Sequence, residues 1–192
     1  MPDFDRAQNT ATRFLLQQEL DSLYIDIRKL KLPPNTFTES MQKFCLMTGA
    51  SIGELRNINE GACLLKQDGC IIILYDDEIP NEQRKHWGIA HELGHALLGH
   101  ISDDRDSEIE AHFFAAQIVA PEIVLWDICK RKGSLSSSDL CLSFNMSAES
   151  ATKRIQTMKR RQCYNSGKID KQLLQKFMPI LNTKFPAYRH VS

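Results

Sequence analysis

The 192-residue chain balances 24 Lys plus Arg against 24 Asp plus Glu, and the absent basic excess argues against a nucleic-acid binder held mainly by phosphate contacts. The length suits one domain, or one domain with a small appendage, built around a real hydrophobic core. Neither a signal peptide in Met1-Pro2-Asp3-Phe4-Asp5-Arg6 nor a bilayer-length apolar run is visible, the longest runs resembling Cys70 to Tyr75.

In chain order, Asn9 to Leu20 reads as a helix, with Ala11, Phe14, Leu15 and Gln18 at helical spacing. Pro33-Pro34-Asn35 breaks the chain, and Thr36 or Thr38 is expected to cap a second helix running through Met47 and ended by Gly49. Ala62 to Lys66 and Cys70 to Tyr75, joined by Gln67-Asp68-Gly69, read as a β-hairpin whose second arm is apolar on both faces. That arm either presents an edge to an extended peptide or sits centrally with both edges paired. Asn81 is an N-cap for a helix through Leu98 that Gly99 closes. A polar loop, Ser102 to Asp106, precedes a helix over 107–119, and Pro121 opens a short helix containing Trp126. Beyond the linker-like Gly133 to Ser138, two short helices, Asp139 to Phe144 and Ser147 to Met158, flank an Asn145-Met146 turn, and helical character returns near Lys171 to Leu181. Six cysteines, Cys45, Cys63, Cys70, Cys129, Cys141 and Cys163, make no Cys-x-x-Cys pair and are expected to be reduced thiols of a cytoplasmic protein.

The run His91-Glu92-Leu93-Gly94-His95 carries the chemistry. Histidines four apart on a helix project from one face about a turn apart, and two neutral imidazoles so placed can share one Zn²⁺. Glu92 follows the first of them and can reach a water beside the metal without taking a coordination position. The helical context, with Ile89, Ala90, Leu93, Ala96 and Leu97 as packing faces, is the one this HExxH pattern requires.

A catalytic zinc needs a third protein ligand. His100 is out of register for the longer HExxHxxGxxH pattern, since Leu98 and Ile101 stand where its glycine and histidine belong. Cys63, in Glu60-Gly61-Ala62-Cys63-Leu64, is similar to the Glu-Gly-Cys-Leu-Ser ligand segment of peptide deformylases, with an extra Ala and no Ser. Glu108 and Glu110 lie on the next helix and point nearly opposite ways, about 200° apart. Glu108 shares its face with the small residues Ala111 and Ala115, which permit a close helix approach, whereas Glu110 shares its face with Phe113, Phe114 and Gln117. Glu108 is therefore the expected ligand, with Cys63 as the alternative.

The segment Arg84-Lys85-His86-Trp87-Gly88-Ile89-Ala90-His91-Glu92-Leu93-Gly94-His95, followed by Glu108-Ile109-Glu110-Ala111-His112-Phe113-Phe114-Ala115-Ala116 and Pro121, resembles the ImmA/IrrE family of bacterial metallopeptidases. The likeness covers roughly residues 65 to 160 and includes Phe144 to Ile155. Trp87 replaces the family's usual Phe, and His112 stands where Asn or Asp is usual, which alters the contact that would back a zinc-binding histidine.

The resemblance implies an α+β fold with a small gluzincin-like metallopeptidase core, a β-hairpin or small sheet packed on the HExxH helix, and a C-terminal helical subdomain. The expected boundaries are 1–132 for the core, with hairpin 62–75, HExxH helix 81–98 and ligand helix 107–119, and 133–192 for the subdomain. It further implies Zn²⁺ held by His91, His95 and Glu108, with Glu92 as general base, and cleavage of a cytosolic helix-turn-helix repressor. Tyr75, His100, His112 and Arg84 are the candidates for stabilising the oxyanion or backing the ligands. Two other readings remain: a deformylase-like zinc hydrolase, and a non-proteolytic regulator using the helical pair Asp139 to Met158, with Lys159-Arg160-Arg161, to bind DNA or protein. Zero net charge and apolar residues at helical spacing favour packing over DNA binding for that pair.

Overall fold

The computed structural model describes residues 1–58, 61–102, 104–161 and 166–186, with backbone alone for 57 and 58. The fold is α+β. In chain order it runs α1 (Phe4–Leu16), a 3-10 turn (Ile27–Lys29), β1 (Thr36–Ser40), α2 (Met41–Thr48), α3 (Ile52–Ile58), β2 (Ala62–Gln67) and β3 (Cys70–Tyr75). The remaining helices are α4 (Glu82–Leu98), α5 (Arg105–Val119), α6 (Glu122–Lys132), α7 (Ser137–Phe144), α8 (Ala148–Arg160) and α9 (Lys168–Lys184). No single helix among the described residues is long and apolar enough to cross a membrane.

The chain divides into two compact units, one of Met1–Thr10 with Asp26–Ala115 and one of Ala11–Ile25 with Ala116–Ser192. The first holds a three-stranded mixed sheet in the order β1-β3-β2. β2 and β3 form the expected antiparallel hairpin, with Ala62 opposite Tyr75 and Gln67 opposite Cys70. Both central turn residues, Asp68 (φ 50°) and Gly69 (φ 76°), take positive φ, the twist-matched geometry of a two-residue hairpin. β3 is the central strand, so the alternative in which it offers a free edge does not hold; the edges are β1 and β2.

The expected helix from Thr36 is corrected. Residues Thr36–Ser40 form β1, parallel to β3 with Phe37 opposite Ile72. Helix α2 starts only at Met41, where the Ser40 hydroxyl accepts the Lys43 N–H at 3.1 Å. Pairing with a strand more than thirty residues away outweighs a local capping signal, as long-range pairing does in sheets. Helix α1 also begins and ends earlier than its apolar spacing suggests. Met41, Cys63 and Leu74 form a buried cluster under the sheet, covered by Phe44, Ile52, Leu55, Leu65 and Ile72. Beside it the Arg56 guanidinium grips Asp76 through two hydrogen bonds of 2.7 and 2.9 Å and holds that carboxyl below its usual range.

Helix α4 lies on β2 and β3. Its limits follow local chemistry: Asn81 Oδ1 accepts the Arg84 N–H at 3.0 Å, and Gly99 ends it in the left-handed conformation at φ 67°.

In the second unit α7 packs against α8, and α6 against α9. Ser136 and Asp139 complete a reciprocal capping box at the start of α7. Asn145 turns the chain at φ 52° into α8, whose inner face buries Ala151, Arg154, Ile155 and Met158. The Arg154 guanidinium donates to the Ala120 carbonyl at 2.8 and 3.1 Å. In the basic cluster at the end of α8, Lys159 and Arg160 are exposed, while Arg161 pairs with the fully buried Glu122 at 3.0 Å.

Candidate metal centre

Two helices of the first unit build the site. Helix α4 presents His91 and His95 on one face, their Nε2 atoms 3.1 Å apart. Helix α5 brings Glu108 against both, with Oε2 3.2 Å from His91 Nε2 and Oε1 3.3 Å from His95 Nε2. Among the described residues these three side chains could together hold a metal ion. A tetrahedral site with bonds of about 2.0–2.1 Å separates its ligand atoms by roughly 3.3 Å, so spacing and donor type both suit a borderline cation such as zinc.

The close approach of the helices depends on Gly94. A Cβ there would lie 3.1 Å from Ala111 Cα and from Phe114 Cδ1, and 3.2 Å from the Ala111 carbonyl oxygen. Backbone meets backbone, which brings Glu108 on its short side chain within reach of the histidines. Glu110, nearly opposite on α5, turns inward instead. It is 7% exposed, accepts the Asp3 N–H at 2.8 Å and lies 3.2 Å from His100 Nε2.

A cleft of about 470 Å³ opens beside the cluster. Glu92, His95, His100 and Glu108 form its polar side; Leu55, Leu64, Leu65 and Ile101 line it with Cys63 and Lys66. Cys63 lies outside the three-ligand cluster. Burial, reinforced by the charge of Glu92, pushes its thiol up to about 11. Glu60 of the deformylase-like segment lies outside the described residues.

His91 is set in a different electrostatic environment. Burial, aided by the neighbouring imidazoles of His112, His95 and His100, drives its pKa down to about 3. A neutral imidazole is the form that donates a lone pair to a metal.

The remaining candidates separate by position. His100 reaches inward, its Nδ1 3.1 Å from His95 Nδ1. His112 is exposed, with its ring 4.5 Å from that of His91 and stacked at 6.1 Å on Trp87. It makes no hydrogen bond to His91, whose buried Nδ1 has no partner among the described residues. Of the four only His100 lines the cleft; His112, Tyr75 at the end of β3, and Arg84, exposed in the first turn of α4, do not.

Sequence reasoning separated Glu108 from Glu110 by helix face but assigned Glu110 no part in the site. A histidine directly after a helix-ending glycine was the available signal. The left-handed Gly99 turns the chain back, and the His100 N–H donates to the His95 carbonyl at 3.0 Å. Comparisons with protein-family models, curated proteins and solved structures found no match.

Proposed function

We propose that this protein is a zinc-dependent endopeptidase of the ImmA/IrrE type, with a gluzincin-like core, that acts in the cytoplasm on a regulatory protein, a helix-turn-helix repressor. The observation that carries the reading is the convergence of His91 Nε2, His95 Nε2 and the Glu108 carboxylate to 3.1–3.3 Å, with Glu92 in the adjoining cleft. Bound Zn²⁺ supplies Lewis acidity, which lowers the pKa of an attacking water and polarises the scissile carbonyl.

The chain's own groups do the rest. Glu92 accepts the water's proton on its carboxylate and delivers it to the amide nitrogen as the C–N bond breaks. Strand β2, at the sheet edge and along the cleft wall, suits an extended peptide added as a further strand. His112 stands with its ring 4.5 Å from that of His91, outside the cleft lining, whereas His100 lines the cleft but is engaged by His95 and Glu110; His112 is therefore our candidate donor to the developing oxyanion.

The test is incubation of zinc-loaded protein with a repressor encoded beside its gene and with an unrelated unfolded protein. Selective cleavage of the repressor, lost in Glu92→Gln while zinc is retained, supports the reading. Equal cutting of both removes the regulatory part, and no cutting of either removes the peptidase.

A further inference from the structure

A continuous polar path runs outward from His95. His95 Nδ1 lies 3.1 Å from His100 Nδ1, and His100 Nε2 lies 3.2 Å from Glu110 Oε2. Glu110 is anchored in turn: the Asp3 N–H donates to its Oε1 at 2.8 Å, and the Arg6 guanidinium lies 3.7 Å from its Oε2. Arg6 also donates to the Leu98 carbonyl at the end of α4. The side chains at its core, His100 and Glu110, are only 6% and 9% exposed, with His100 at the cleft wall.

Proton placement along this path is dictated from either end. A carboxylate only accepts, so His100 must carry its proton on Nε2 and leave Nδ1 bare. A bare His100 Nδ1 accepts from His95, which places the His95 proton on Nδ1 and the free lone pair on Nε2. At the other end Glu108 Oε1, 3.3 Å from that Nε2, draws the proton the opposite way. His91 Nδ1, however, is buried without a partner among the described residues, so the His91 proton sits on Nε2, 3.2 Å from Glu108 Oε2 and 3.1 Å from His95 Nε2, which accepts it and stays bare.

We propose that Glu110, acting through His100, holds His95 in its Nδ1–H tautomer with Nε2 directed at the metal position, so that two residues outside the ligand set govern metal affinity. Both are positioning residues. The affinity part rests on the zinc reading above, whereas the tautomer part concerns the metal-free protein and stands apart from it. A hydrogen-bonded partner on the outer nitrogen of a ligand histidine fixes ring orientation and raises its basicity, typically by 10–100-fold in affinity. The unusual feature is that the carboxylate acts at one remove, through a second imidazole.

The experiment uses the full chain labelled with ¹⁵N-histidine. In zinc-free protein, long-range ¹H–¹⁵N correlation should report His95 protonated on Nδ1 and bare at Nε2. Zinc affinity is then read by competition with a chromophoric chelator. His100→Leu, able neither to accept nor to donate, should erase the tautomer preference and weaken zinc about 10–100-fold. His100→Asn restores an acceptor near the Nδ1 position and should recover the tautomer and part of the affinity. Glu110→Gln keeps an acceptor without the charge and should retain the tautomer with zinc weakened roughly tenfold. Should His100→Leu not fold, the Asn and Gln variants decide. The proposal is overturned if His95 carries its proton on Nε2 in the zinc-free parent, or if folded His100→Leu binds zinc within about twofold of the parent. A parent that binds no zinc removes the metal reading, while the tautomer measurement still decides the path.

Discussion

His91 and His95 share one helix, one face and one target, yet they are held by opposite means. The outer nitrogen of His95 leads through His100 to a buried carboxylate. The outer nitrogen of His91 is buried without a hydrogen-bond partner among the described residues, and its ring rests against His112, itself stacked on Trp87. The outer side of one histidine is held by a directional hydrogen bond, that of the other by ring packing. Hydrogen bonds select a tautomer as well as an angle; packing selects only the angle. Two histidines whose spacing is fixed by the same helical turn can thus differ in how their outer sides are held.

The largest effects should ignore the asymmetry. His91→Ala, His95→Ala and Glu108→Ala each leave two protein ligands and should cost more than about a hundredfold in zinc affinity by chelator competition. If Glu108→Ala binds zinc like the parent and Glu110→Ala does not, the roles of the two α5 faces are reversed.

Next is the contact that both histidines need. Gly94→Ala places a methyl against the backbone of Ala111 and the ring of Phe114. The cost should be about 1–3 kcal/mol in denaturant unfolding, with weaker zinc because Glu108 moves away with α5. Unchanged stability would show that the helices separate without penalty.

A third test exploits the electrostatics of the His91 side. Its folded-state pKa, driven down to about 3, lies below the ordinary histidine value near 6.5. The unfolded chain therefore binds the extra proton first, so stability falls as pH drops below about 6.5 and stops falling near 3. Unfolding of metal-free protein measured across that window should show the decline, and His91→Gln should flatten its share of it. An equal slope in the parent and in His91→Gln would remove this group as the cause.

The smallest effect should come from repairing the weaker side. His112 is exposed, so His112→Asn should leave stability within about 0.5 kcal/mol. An amide oxygen there can accept the His91 Nδ1–H, and zinc should tighten roughly two- to tenfold. No gain would mean that ring packing against Trp87 and His112 already orients His91 as well as a hydrogen bond does.

Much of the site was legible because its determinants are local. Asn81 and Gly99 bound α4 as capping chemistry requires, and the i, i+4 spacing puts both imidazoles on one face. The two-residue turn at Asp68-Gly69 sets the hairpin. Face arithmetic on α5 separates Glu108 from Glu110, since two helical residues differ by about 200° whatever surrounds them. The segment Thr36–Ser40 was misread for the complementary reason: its state depends on a parallel partner, Ile71 to Tyr75, that no local signal announces.

The chemical types, the helical spacing and the start and end of the helix that bears them are properties of a few consecutive residues and can be read from their order. Tertiary structure alone decided which outer partner each histidine has. The Glu110–His100–His95 path joins the N-terminal residues, the turn after α4 and the inner face of α5. His112, near in space to His91, makes ring contact without a hydrogen bond. Hydrogen bonds change by whole partners over a fraction of an ångström, and displacements of that size are set by how helices pack, at Gly94 against Ala111, rather than by residue order.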